Sequence, residues 1–107
     1  MVAHGAILRV LSKKPHLADQ LANNYRKADI TDRQLCMLDF ANKVSRSAET
    51  ICEADYQALA AHGFSEEGIW DITSVASFFA MSNRLANTIG LQPNAEFYDM
   101  ARKPRGQ

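Results

Sequence analysis

Three histidines and two cysteines are the residues of this chain with the most chemistry to offer. An imidazole moves protons near neutral pH, and a thiolate attacks peroxides, disulfides and metals. His4 stands on a stripe with Ile7, Leu8 and Leu11, spaced i, i+3, i+4 and i+7, which predicts one apolar helix face. An imidazole there is either a core-edge group satisfied by one hydrogen bond or a carrier of protons. His16 follows Pro15 in an expected first turn. His62 precedes Gly63 at an expected helix end, where positive charge suits the dipole. Both read as structural. Cys36 lies among apolar residues, as a packed thiol. Cys52 is expected in a first helical turn, where the dipole lowers a thiol pKa, so it reads as the more reactive of the two. Their spacing matches no redox or zinc motif. No glycine-rich phosphate loop or serine-triad motif appears either, so the pattern names no metal and no cofactor. Arg84, beside Asn83 in a long apolar run, needs a carboxylate or carbonyl partner, with a helix-locking or subunit-locking contact as the expected role.

The elements that must position these groups are all helical. The first segment runs from about Val2 to Ser12 and ends at Lys13-Lys14-Pro15. A second runs from about His16 to Lys27, with Leu17, Leu21 and Tyr25 in step. A third opens on Thr31-Asp32-Arg33-Gln34, a capping box in which hydroxyl and amide exchange bonds with the backbone, and fades near Ser45 to Ser47. A fourth is expected to start at a second box, Thr50-Ile51-Cys52-Glu53, and to stop at Gly63. The longest, from about Ser65 to Ile89, is apolar on so wide an arc that it belongs at the centre of a bundle or in a subunit interface. Asn94 is the expected cap of a last short helix through Met100. No stretch alternates with period two. The prediction is an all-α, antiparallel bundle of five or six helices, a single domain over residues 1–101 with a basic, frayed tail at 102–107.

Composition narrows the function classes. Twelve basic and twelve acidic residues cancel, which argues against nucleic-acid binding. No apolar run is long enough for a membrane span, and the N-terminal stretch is broken by His4 and Arg9, unlike a secretory signal. The expected location is cytoplasmic, with reduced cysteines.

Three stretches carry a family resemblance. Met1-Val2-Ala3-His4-Gly5-Ala6-Ile7-Leu8-Arg9 resembles the helix that follows the redox motif in peroxidase-related members of the alkylhydroperoxidase D-like (carboxymuconolactone decarboxylase-like) family, where C-x-x-C, three residues and His-Gly-Ala occur in that order. Thr31 to Val44 is similar to the helix that comes next. Gly63 to Gly90, with its G-F-S opening, paired aromatics and N-R-L-A ending, is the most specific match.

The resemblance implies an alkylhydroperoxidase D-like helical fold. It also implies thiol-dependent reduction of hydroperoxides through the C-x-x-C pair, regenerated by a partner dithiol, in a homo-oligomer (trimer or hexamer). His4 becomes the expected catalytic residue, a proton relay one helical turn, about 6 Å, beyond the second cysteine. That cysteine would fall one residue before Met1, so the chain is expected to be an incomplete or inactive form, truncated at its N-terminus. The competing expectation is a non-catalytic helical module that oligomerises through its longest helix.

Overall fold

The computed structural model describes residues 2–102. Among them lie six α-helices, two short 3₁₀ turns and no strand, in keeping with the expected all-α class. The helices are α1 (Val2–Ser12), α2 (Leu17–Asn24), α3 (Asp32–Ser47), α4 (Glu53–Ala61), α5 (Glu66–Ile89) and α6 (Glu96–Asp99). They gather into two compact units, one built from α1, α2 and α6, the other from α3, α4 and α5. Residues 103–107, most of the tail expected to fray, lie outside the described residues.

In the α3–α5 unit, local chemistry sets the helix ends. The Thr31 hydroxyl accepts from the Gln34 N–H at 3.1 Å, and the Gln34 side chain accepts from the Thr31 N–H at 3.0 Å, which completes the predicted box. Ser65 caps α5 by accepting from the Gly68 N–H at 3.0 Å. Gly63 and Gly90 follow α4 and α5 with φ of 85° and 70°, left-handed positions that suit a residue without Cβ. α5 lays Ile69, Ile72, Ala76 and Ala80, all half-buried, on its inward side. Phe40 and Leu59 are the buried apolar residues of this unit, with the Tyr56 ring 6.1 Å from that of Phe40. Arg33 donates to the His62 carbonyl at 3.0 Å and lies 3.9 Å over the Phe64 ring, tying the start of α3 to the turn before α5.

Four expectations are corrected. The second capping box is built one step later than predicted: Cys52 is the N-cap, and its N–H donates to the Asp55 carboxylate at 2.9 Å. Thr50 instead donates to the Ser47 carbonyl at 2.8 Å and closes the 3₁₀ turn Ala48–Thr50. α2 ends at Asn24, whose side chain accepts from the Arg26 N–H and starts a 3₁₀ turn through Lys27. The first residue before α6 is Ala95; Asn94 contributes its carbonyl, not its side chain, accepting from the Phe97 N–H. Finally, the face of α1 that turns inward is Ala6 and Arg9, while Ile7, Val10 and Leu11 are exposed. The physical reason is the hydrogen bonding of Arg9 described below, which outweighs the aliphatic stripe.

Thr31→Ala should therefore lower the unfolding free energy of the α3–α5 unit by about 1 kcal/mol in urea denaturation, and Thr50→Ala by clearly less. Asp55 provides a pH test. The Cys52 N–H, and then Lys43 at 2.9 Å, hold its carboxyl below the ordinary value of 3.8. A depressed folded-state pKa stabilises above the unfolded value and loses that contribution as pH falls below 3.8 through the folded value. Acid denaturation curves of Asp55→Asn should be flatter than wild type across that window.

Candidate functional site

The unit of α1, α2 and α6 is assembled around one buried cation. α1 and α2 meet through small residues: Ala6 and Ala18 are buried, and a methyl built on Gly5 would touch the Ala18 Cβ at 3.5 Å. Arg9 is only 4% exposed. Its Nε donates to the Met100 carbonyl at 2.9 Å and its Nη2 to the Phe97 carbonyl at 3.1 Å. These are acceptors at the C-terminal end of α6, where carbonyls lack helical partners and positive charge is favoured. Arg102 continues the theme, its Nε donating to the Tyr98 carbonyl. Its two terminal nitrogens form a paired bond with the Asp19 carboxylate at 3.0 and 3.1 Å. A four-residue helix has too few internal bonds to stand alone; two guanidinium groups fasten it to α1 and α2.

Between these helices lies a cavity of about 350 Å³ with mostly apolar walls. Leu8, Leu21 and Tyr98 supply much of the apolar surface, with His4, Arg9 and Arg102 among the lining polar groups. His4 sits in the first turn of α1, exposed. The arrangement offers an imidazole able to take or give a proton beside an apolar pocket holding fixed positive charge. It offers no nucleophilic sulfur, because this unit contains no cysteine.

The other expected residues lie apart from His4 in the chain. Cys36 is half-buried in α3, and burial, followed by the charge of Asp39, pushes its thiol pKa up. Cys52 is exposed at the N-cap of α4, not within its first turn. Both are free thiols. His16 is the N-cap residue of α2, without a side-chain cap bond. His62 is the C-cap of α4, and its carbonyl serves Arg33. Arg84 finds a carbonyl partner, that of Ser45 at 3.3 Å. Among the described residues no three His, Cys, Asp or Glu side chains gather as metal ligands, and no helix is long and apolar enough to cross a membrane.

Arg9, Asp19 and Arg102 were missed by sequence reasoning. Their partners are mostly 83 to 91 positions away in the chain, and the three that Arg9 and Arg102 find in and just after α6 are all backbone carbonyls without a sequence signature. At 100° per residue Arg9 falls on the side of α1 away from Ile7 and Leu11, so the helical pattern carries no signal of its burial.

Two solved structures match along almost the entire chain. The alkylhydroperoxidase AhpD core of an uncharacterized peroxidase-related protein from Ralstonia eutropha JMP134 is 57% identical, with a TM-score of 0.92 over 97% of this chain. An uncharacterized peroxidase-related protein from Silicibacter sp. TM1040 is 48% identical, with a TM-score of 0.91 over 94% of this chain. The chain belongs to the alkylhydroperoxidase D-like family. It is a peroxidase-related AhpD-like protein that spans about half the length of those two chains, 55% and 53%. No family model and no curated protein matches it.

Two measurements probe this AhpD-like chain. Arg9→Leu should cost the α1–α2–α6 unit on the order of 2 kcal/mol and speed amide exchange across Phe97 to Met100, with Arg9→Lys intermediate. In timed alkylation followed by mass spectrometry, Cys52 should be modified well before Cys36.

Proposed function

We propose that His4 is the proton-handling residue of a peroxidase-related site, and that the 107-residue chain, having no C-x-x-C, does not reduce hydroperoxides by itself. One observation supports this reading above the rest: His4 lines an apolar-walled cavity in a unit without cysteine. An imidazole transfers protons but takes no oxygen atom from a peroxide.

In a form carrying the dithiol, one thiolate attacks a peroxide oxygen and the O–O bond breaks. The departing alkoxide takes up a proton and leaves as alcohol, and the attacking sulfur becomes a sulfenic acid. The second thiol attacks that sulfur, expels water and closes a disulfide. An external dithiol then reduces it. His4 serves by accepting the thiol proton and delivering one to the leaving oxygen. Two cysteines held as free thiols suit a reducing compartment such as the cytoplasm.

Consumption of tert-butyl hydroperoxide with dithiothreitol is the test. Purified residues 1–107 should match a protein-free control; turnover that His4→Ala abolishes would overturn the claim of inactivity. A chain extended by Cys-Xaa-Xaa-Cys directly before Met1 should gain turnover, and His4→Ala within it should lose about a hundredfold. Equal rates with and without the imidazole would remove His4 from the mechanism. A second reading, a self-associating helical module, draws on the exposed face of α5.

A further inference from the structure

We propose that the cavity between α1, α2 and α6 binds an amphipathic carboxylate, its tail in the apolar space and its head on Nη1 of Arg9. Joined to the role of His4 given above, on which this second step rests, it makes the substrate of a dithiol-bearing form a hydroperoxide that also carries a carboxylate.

A guanidinium has five N–H donors. Nε and Nη2 of Arg9 are engaged by the Met100 and Phe97 carbonyls, and Nη1 donates to no group among the described residues. Nη1 lies 3.8 Å from where a methyl on Gly5 would stand, and both Gly5 and Arg9 line the cavity. Arg9 is 4% exposed, yet among the described residues no side-chain nitrogen sealed from solvent lacks a partner. Nη1 therefore touches open space, and the cavity is that space.

The charge of Arg9 is also unmatched. Its two partners are neutral carbonyls, whereas a buried cation ordinarily sits against an anion. Asp19, the carboxylate that lines the same cavity, has both oxygens on Arg102 at 3.0 and 3.1 Å. Those two charges cancel, which leaves Arg9 as the fixed charge of the wall. An entering carboxylate gains a charge-assisted bond to Nη1 without breaking an existing one.

The rest of the wall decides what that carboxylate is attached to. Leu8, Leu21, Ala22 and Tyr98 give a bare inorganic anion nothing in exchange for its hydration, while a hydrocarbon tail gains by leaving water. The cavity, about 350 Å³, lies at the small end of ligand sites. At ~30 Å³ per water it has room for about a dozen waters, or a ligand on the order of ten non-hydrogen atoms.

Octanoate, 1-octanol and inorganic phosphate are the probes, titrated into residues 1–107 by calorimetry, with circular dichroism as a check on folding. Octanoate should bind saturably, one per chain and at least tenfold more tightly than octanol. Phosphate at the same concentration should not displace it. Ala22→Trp, at an exposed position on the cavity wall, should block both organic ligands. Arg9→Lys keeps the charge but lacks the spare donor, so it should bring octanoate down to the level of octanol. Equal affinity for octanoate and octanol in the wild type, displacement by phosphate, or octanoate binding that survives Ala22→Trp unchanged would overturn the proposal. The chain extended by Cys-Xaa-Xaa-Cys separates the two readings. Octanoate should compete there with tert-butyl hydroperoxide, raising KM and leaving kcat unchanged. An extended chain that binds octanoate but shows no dependence on His4 would remove the imidazole from the mechanism and leave the binding site standing. One that depends on His4 but ignores octanoate would do the reverse.

Discussion

Among the described residues, Leu59 is the one large side chain wholly sealed from water. The interior of each unit is thin: besides Leu59, the buried apolar residues are Phe40 in the same unit and Ala6 and Ala18 in the other. Hydrophobic burial is the main favourable term in folding, and a chain of this size already buries a modest share of its surface. The residues able to enlarge the interior are present but face outward, on α5 and on the exposed side of α1. Fold and assembly are therefore one question here. Much of the apolar surface that the sequence provides contributes to stability only when something covers it.

Where burial is scarce, polar contacts carry more of the structure. Arg9 is the clearest case. A guanidinium removed from water is costly unless its donors are matched, and here two of them reach carbonyls that a short helix leaves without partners. Each group meets the other's need, and the bond decides which side of α1 turns inward. The same contact helps form the walls of the cavity that His4 lines. The geometry of the candidate site thus depends on an interaction that takes no part in the proposed chemistry.

Features determined within a few residues were legible in the sequence. The Thr31–Gln34 box, the Ser65 cap and the glycine stops at 63 and 90 all stand where composition placed them, because each is settled by neighbours along the chain. The fourth helix shows the limit. Thr50 and Cys52 both precede a suitable acid by three positions, and the contest went to Cys52–Asp55, since Lys43 on another helix also binds that carboxylate. The inward side of α1 was misread for the same reason. Its periodicity is real, but periodicity gives a direction only relative to a core, and here that direction is set by two carbonyls far along the chain. The peroxidase-related identity was legible through motif order, while the role of His4 rests on chemistry that a second cysteine pair would complete.

Along α5, the hydroxyls of Thr73, Ser74 and Thr88 donate to the carbonyls of Ile69, Trp70 and Arg84, one turn back, at 2.8 to 2.9 Å. Ser74 and Thr88 lie toward the helix's exposed side, yet their protons are already committed to the backbone. Such back-bonding bends a helix slightly. It also means that stripping solvent from this surface would strand neither of those two donors.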